Sequence, residues 1–213
     1  MSLDTTLTSY ETARYSRQIR LSEIGKKGQL KLKASSVIVV GAGALGCPVL
    51  QYLTAAGVGT IGIADNDWID ESNLNRQVLY TIKDIGKPKP LVAKEKLTLL
   101  NPEVSFNIHF IRIDKVCVLK VFSQYDIIVD CTDNFASRYL INDACVILNK
   151  PLVYGAIHKF SGQVMVLNYQ NGPTLRCLYP VSPHPLEAPS CEEFGVIGSV
   201  PGIIGFFTSY RSI

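Results

Sequence analysis

SSVIVV at 35–40, followed directly by GAGALG at 41–46, is the stretch that decides the fold. An uncharged run rich in β-branched residues reads as a strand buried on both faces. CPVLQYLTAAG (47–57) then has the period of a helix and stops at Gly57, and TIGIAD (60–65) is a second buried strand. Strand, glycine-rich turn, helix and strand together form the context that gives a GxGxxG motif its meaning. Gly41, Gly43 and Gly46, with Ala44 between them, let backbone approach a phosphate or ribose, and the helix N-terminus favours an anion. Asp65, at the end of the second strand, can accept hydrogen bonds from ribose hydroxyls. These pieces indicate a nucleotide and no more, since a nicotinamide or flavin oxidoreductase carries them equally.

Working outward, the alternation continues. KPLVAKEKLTLL (89–100) reads as a helix, VSFNIHFIRI (104–113) as a strand, VCVLKVFSQY (116–125) as a helix and DIIVDCTD (126–133) as an apolar strand. FASRYLINDACVILN (135–149) is helical in period, and PLVYGAI (151–157) and GQVMVLNY (162–169) are further strands. The expectation is an α/β, Rossmann-like fold: a mainly parallel sheet with helices on both faces. One nucleotide-binding domain over 1–213 accommodates all of it. A helical arm at 10–33, broken at Gly25 and Gly28, precedes a nucleotide-binding core at 34–170, and an extended crossover loop follows at 171–197.

The residues after the second strand narrow the chemistry. Asp67, Asn73, Arg76, Gln77 and Lys89 fall in DNDWIDESNLNRQ and GKPK. A dinucleotide enzyme has no need of Asn-x-x-Arg-Gln and a lysine here, whereas a triphosphate needs cations to offset its charge. The plainer alternative is a solvated loop with surface ion pairs. Asp130-Cys-Thr-Asp133-Asn134 ends a later strand, at the edge where open α/β sheets bind ligands. Asp133 is placed to hold Mg2+ beside phosphates, or else Asp133 or Asn134 caps the helix from Phe135; the two roles are compatible.

With 213 residues, 47% of them hydrophobic and 18% charged, the chain can bury a large core, and a net charge of +3 suggests neither a nucleic-acid nor a membrane-surface protein. No apolar run approaches the roughly 18–20 residues of a membrane span, and the N-terminus lacks the apolar region of a signal peptide. The six cysteines (Cys47, Cys117, Cys131, Cys145, Cys177 and Cys191) include no CxxC pair and read as reduced thiols of a cytoplasmic protein.

RYSRQI (14–19), GAGALG (41–46), ADND and SNLNRQ (64–77), GKPK (86–89), DCTDN (130–134) and the Cys191 to PGIIG stretch (191–205) occur in that order. As a set they resemble the adenylyltransferases of molybdopterin and thiamine biosynthesis, bacterial relatives of the ubiquitin-activating enzymes. The resemblance implies ATP-dependent adenylylation of the C-terminal glycine carboxylate of a ubiquitin-like sulfur carrier ending in Gly-Gly, in preparation for a thiocarboxylate. It assigns Asp65 to ribose, Asn73, Arg76 and Lys89 to phosphates, Asp133 to Mg2+, and a lesser, backbone-positioning role to Asn75. It also implies a homodimer in which Arg17 reaches the partner's site; a helix-surface arginine is the alternative. Cys191 stands at the crossover-loop cysteine, whose reactivity Glu192 and Glu193 oppose.

Two departures stand against the resemblance. Relatives bind structural zinc through two CxxC pairs, but Thr174 stands where the partner of Cys177 belongs and no second pair exists, so no zinc site is expected. After PGIIG the family's helix gives way to FFTSYRSI, and a one-base shift in codons for those residues reads Ser-Leu-Gln-Ala-Ile-Glu-Val, similar to that helix. The expectation is a C-terminal segment truncated by an insertion near the codon of Gly205. An oxidoreductase on the same nucleotide fold, or an inactive scaffold that still docks the carrier, remain the other readings.

Overall fold

The computed structural model describes residues 6–182 and 195–213. Three short helices come first: α1 (Ser9–Arg14), α2 (Ser16–Ile19) and α3 (Gly25–Ala34). The expected glycine breaks resolve differently: Gly25 starts α3 at a φ of 56°, and Gly28 lies inside it. Thr8 begins α1 with a capping box closed by Glu11, whose buried carboxylate also pairs with Lys33 of α3 at 3.0 Å.

The core then alternates β1 (Ser36–Val40), α4 (Gly46–Ala56), β2 (Thr60–Ala64), α5 (Lys89–Leu100), β3 (Ser105–His109), α6 (Val118–Phe122), β4 (Ile127–Asp130), α7 (Phe135–Leu148) and β5 (Leu152–His158). A hairpin adds β6 (Ser161–Leu167). The sheet runs β3-β2-β1-β4-β5-β6, parallel except for the β5–β6 pair. Successive β1 side chains enter opposite cores, as a strand's period of two requires. Val37 and Val39 pack with Leu50, Leu53, Val92 and Leu97 of α4 and α5. Ile38 and Val40 pack with Val121, Phe122, Ile141 and Cys145 of α6 and α7. Each such fully buried aliphatic contributes roughly 1.5–3 kcal/mol, which pins β1 at the sheet centre.

This order places the topological switch between β1 and β4, and ligands of open α/β sheets bind at the carboxyl ends of the strands there. α5 forms over the residues its period indicated, whereas β3 is shorter than expected and leaves the sheet after His109. Within the expected crossover loop, α8 (Leu175–Leu178) is helical, with the Thr174 N–H donating to the Cys177 Sγ at 3.4 Å. Of the ending FFTSYRSI, residues 206–212 form the last part of helix α9 (Ser199–Ser212), packed on α4, β5 and β6. Its buried Thr208, Ser209 and Ser212 donate their hydroxyls to the carbonyls of Ile204, Phe206 and Thr208. Ile203, Phe206, Phe207 and Tyr210 are exposed. Among the described residues no helix is long and apolar enough to cross a membrane.

Candidate nucleotide and carboxylate site

The glycine turn leaves β1 at Gly41, whose φ of 96° suits only glycine; a Cβ there would meet the Cys131 carbonyl oxygen at 2.7 Å. Gly46 opens α4 so close to the turn that a Cβ would lie 1.9 Å from the Gly41 oxygen. At Gly43 the nearest atom, Gln77 Nε2, is at an ordinary 3.7 Å. Two of the glycines are thus required by the fold, and the third keeps space open. No side chain caps α4, but the Cys47 N–H already donates to the Gly43 carbonyl at 2.9 Å and Pro48 has none, so the helix start offers an anion chiefly the positive end of its dipole.

Asp65 ties the turn to the next strand. One carboxylate oxygen accepts from the Ala42 N–H at 2.7 Å and the other from the Asp67 N–H at 2.7 Å. Burial raises its pKa, outweighing those two hydrogen bonds and the nearby Lys89 charge. Each oxygen keeps a lone pair, so a ribose hydroxyl can still donate to it. Beyond Asp65 the backbone pairs with the segment before α5: Ile69 N–H donates to the Lys87 carbonyl, and the Lys89 N–H to the Asp67 carbonyl. That pairing brings Lys89, 5% exposed, within 2.9 Å of the Asp67 carboxylate. A buried ammonium is costly unless paired, and this one keeps further N–H donors for a phosphate.

A cavity of about 700 Å3 opens at the switch point. Gly41, Gly43, Ala44, Asp65, Asp67, Asn73, Arg76, Lys89, Asp133 and Asn134 all line it. Residues that sequence places in four separate segments therefore meet at one place. Arg76 is steadied by the Ser72 carbonyl at 2.7 Å and by the Asn75 side-chain oxygen at 3.0 Å, so Asn75 positions a side chain as well as backbone. Asn73 accepts from the Asp70 N–H at 3.1 Å and thereby closes the one-turn helix that carries the loop. Asn134, not Asp133, caps α7, accepting from the Ser137 N–H at 2.9 Å; Asn134 Nδ2 in turn donates to Asp133 Oδ1 at 3.2 Å.

Three expected members stand apart. Gly46 is absent from the cavity wall, because its lack of a side chain serves the packing of turn on helix. Arg17 is exposed on α2, and neighbouring Gln18 bonds the Ala56 carbonyl at the far end of α4. Eleven residues of helix put that end about 16 Å from the turn. Cys191 lies outside the described residues.

The cavity also has walls that the sequence reading did not assign. Trp68, Ile111, Arg112 and Ile113 bound it on the β2–β3 side, with Trp68 edge-on to Phe110 at 5.8 Å between ring centroids. Thr132, Ser137, Arg138 and Ile157 bound it on the β4–β5 side. Gln77 is 5% exposed, and its Oε1 has no partner within the protein. The shortness of β3 hid the first group, while Arg138 sits four residues after Asn134, one helical turn along the same face.

The ThiF family model matches residues 15–213, nearly the whole chain. The chain belongs to the ThiF family. It is 50% identical over 203 residues to a sulfur carrier protein adenylyltransferase of Thermus thermophilus, covering 93% of this chain and 75% of that relative. It is 48% identical over 209 residues to the adenylyltransferase and sulfurtransferase MOCS3 of Culex quinquefasciatus, covering 98% of this chain. It spans about half of that relative's length (48%). Among solved structures, E. coli MccB with MccA-N7isoASN superposes with a TM-score of 0.82 at 25% identity, covering 93% of this chain and 63% of that one. This ThiF-family chain thus has the Rossmann-like fold of that neighbour and relatives named as adenylyltransferases.

Proposed function

We propose that this chain uses ATP to adenylylate the C-terminal carboxylate of a ubiquitin-like sulfur carrier ending in Gly-Gly, for molybdopterin or thiamine biosynthesis. What supports this most is the convergence of Arg76, Lys89 and Asp133 with the glycine turn in a single cavity. The base lies toward Trp68 and Ile111, the ribose at Asp65, and the phosphates between the α4 N-terminus, Arg76 and Lys89. The carrier's carboxylate, already ionised at neutral pH, needs no general base. One of its oxygens attacks the α-phosphorus, the bond to the bridging oxygen of the β-phosphate breaks, and pyrophosphate leaves with that electron pair. Arg76 and Lys89 neutralise the charge gathering on the phosphates as this happens, and the pocket holds the reactants in line.

Asp133 is the cavity carboxylate we assign to the metal; Asp67 is engaged by Lys89 and Asp70 by the Ser72 N–H and hydroxyl. No group of three or more acidic, His or Cys side chains suited to a metal occurs among the described residues. A single carboxylate fits Mg2+ that arrives with ATP and takes its other ligands from phosphates and water. When bound, the ion supplies charge neutralisation at the phosphates.

Arg17, exposed and about 16 Å along α4 from its own turn, fits a role in the partner's site of a homodimer. The free thiols of Cys47, Cys117, Cys131, Cys145 and Cys177 fit the cytoplasm. ATP–pyrophosphate exchange tests the proposal. Exchange should require a carrier ending in Gly-Gly and fall at least about 100-fold in Arg76→Ala and Asp133→Ala. Tight NADH binding without exchange would assign the cavity to a dinucleotide, and ATP binding without exchange to a scaffold.

A further inference from the structure

The cavity has two flanks on either side of the glycine turn, and their contents differ. The β2–β3 flank offers Trp68, Ile111 and Ile113, surfaces suited to a base. The β4–β5 flank, beyond Asp133, offers Thr132, Ser137, Ile157 and the guanidinium of Arg138. A second substrate that is an anion needs a cation on its own side. Arg76 and Lys89 stand across the turn, where the triphosphate claims them.

Arg138 is built to be that cation. It is 6% exposed, yet it forms none of the ion pairs found among the described residues. Its guanidinium is held in place, with Nη2 donating to the Thr132 carbonyl at 3.1 Å and the carbon lying 5.1 Å from the Phe135 ring centroid and 5.5 Å from that of Tyr154. Nε is enclosed by protein and has no hydrogen-bond partner, so the Nη N–H groups are the ones that can reach a ligand. Of five N–H donors, then, one is used for the loop, and the group is fixed before any ligand arrives. A nearly buried, immobilised arginine with donors to spare, in the wall of a ligand cavity, matches the planar shape of a carboxylate.

We infer that Arg138 binds the terminal carboxylate of the incoming carrier, fixing one oxygen so that the other faces the α-phosphate. This inference rests on the proposed adenylylation and names a binding residue for its second substrate. The competing role is positional. Arg138 holds the Thr132 carbonyl and stands near buried Asp130, so its loss could act only through the loop that carries Asp133.

The test is an equilibrium comparison, using the protein with the ATP analogue AMP-CPP. The probes are two forms of one ubiquitin-like carrier ending in Gly-Gly, with the terminal carboxylate free or converted to carboxamide. Wild type should prefer the free acid at least about 10-fold, as a charge-assisted hydrogen bond in a desolvated site requires. Arg138→Gln should lower that preference below about 3-fold while binding AMP-CPP within about 2-fold of wild type. Arg138→Lys, which keeps the charge without the fork, should fall between the two; should the glutamine variant not fold, an unchanged preference in the lysine variant overturns the inference. So does a glutamine variant that discriminates as wild type does, or one whose only loss is in AMP-CPP binding. Failure of the functional reading looks different, as absence of carrier-dependent pyrophosphate exchange in wild type, and it removes this inference too.

Discussion

Gly43 and Gly46 belong to one motif yet face opposite demands, and alanine separates them. At Gly46 the new Cβ would sit 1.9 Å from the Gly41 oxygen, about 1 Å inside any real approach, and the atom it meets is backbone. Overpacking of this kind costs about 3 kcal/mol, which in a chain of this length lowers Tm by roughly 6–12 °C. At Gly43 the nearest atom is 3.7 Å away and φ is not in the left-handed region, so the fold admits a methyl group. Restricting the unfolded chain there adds about 0.4–1 kcal/mol, a Tm rise of roughly 1–4 °C. That methyl, however, points into space that a phosphate or ribose would use, and a displacement of about 1 Å costs on the order of 100-fold in rate. Differential scanning fluorimetry and ATP–pyrophosphate exchange on the two variants read both quantities. A Gly43→Ala protein that loses stability, or keeps full exchange, refutes the division of labour; so does a Gly46→Ala protein that melts with wild type.

Lys89→Met should abolish at least about 100-fold of the exchange rate, yet change stability by no more than about 1 kcal/mol, because Asp67, left behind, is largely exposed and regains water. Chemical denaturation beside the exchange assay checks both halves. Burial pushes the Asp130 carboxyl up to about 6 from an ordinary 3.8, against the Thr132 hydrogen bonds and the Arg138 charge. The folded protein therefore holds that proton more tightly than the unfolded chain does. This contribution to stability is complete below the ordinary value and is lost as pH rises toward 6. The stability of Asp130→Asn relative to wild type should grow by about 2 kcal/mol between pH 4 and 6, and urea titrations giving a constant difference would exclude it. Mixing Arg17→Ala with Arg76→Ala, each inactive alone, should restore about a quarter of wild-type exchange if Arg17 works in its partner's site, and none if it works in its own.

The sequence discloses most of this architecture because the deciding signals are local. A β-branched run, a glycine turn and an α5 that forms over its periodic residues leave little for tertiary packing to override. The cavity-lining members were legible where a carboxylate or cation followed a strand, as with Asp65, Lys89 and Asp133. They were not where tertiary geometry decided. Gly46 reads as a phosphate-binding glycine until the Gly41 oxygen is seen beneath it. β3 alternates well past His109, yet the chain turns there and delivers Ile111 and Arg112 to the cavity. Arg138 carries no motif of its own in the sequence, and only the two rings around it and its place in the cavity wall mark it out. The ending FFTSYRSI matches no expected pattern, yet through Ser212 it is helical, its three hydroxyl side chains bonding to the preceding turn within α9.

The most direct measurement is the intact mass of a Gly-Gly carrier incubated with the wild-type chain, ATP and Mg2+, with pyrophosphatase present and no sulfur donor. The account predicts a carrier heavier by one adenylyl group, formed by wild type and missing with Arg76→Ala. A carrier of unchanged mass, or one adenylylated equally by the Arg76 variant, would contradict it.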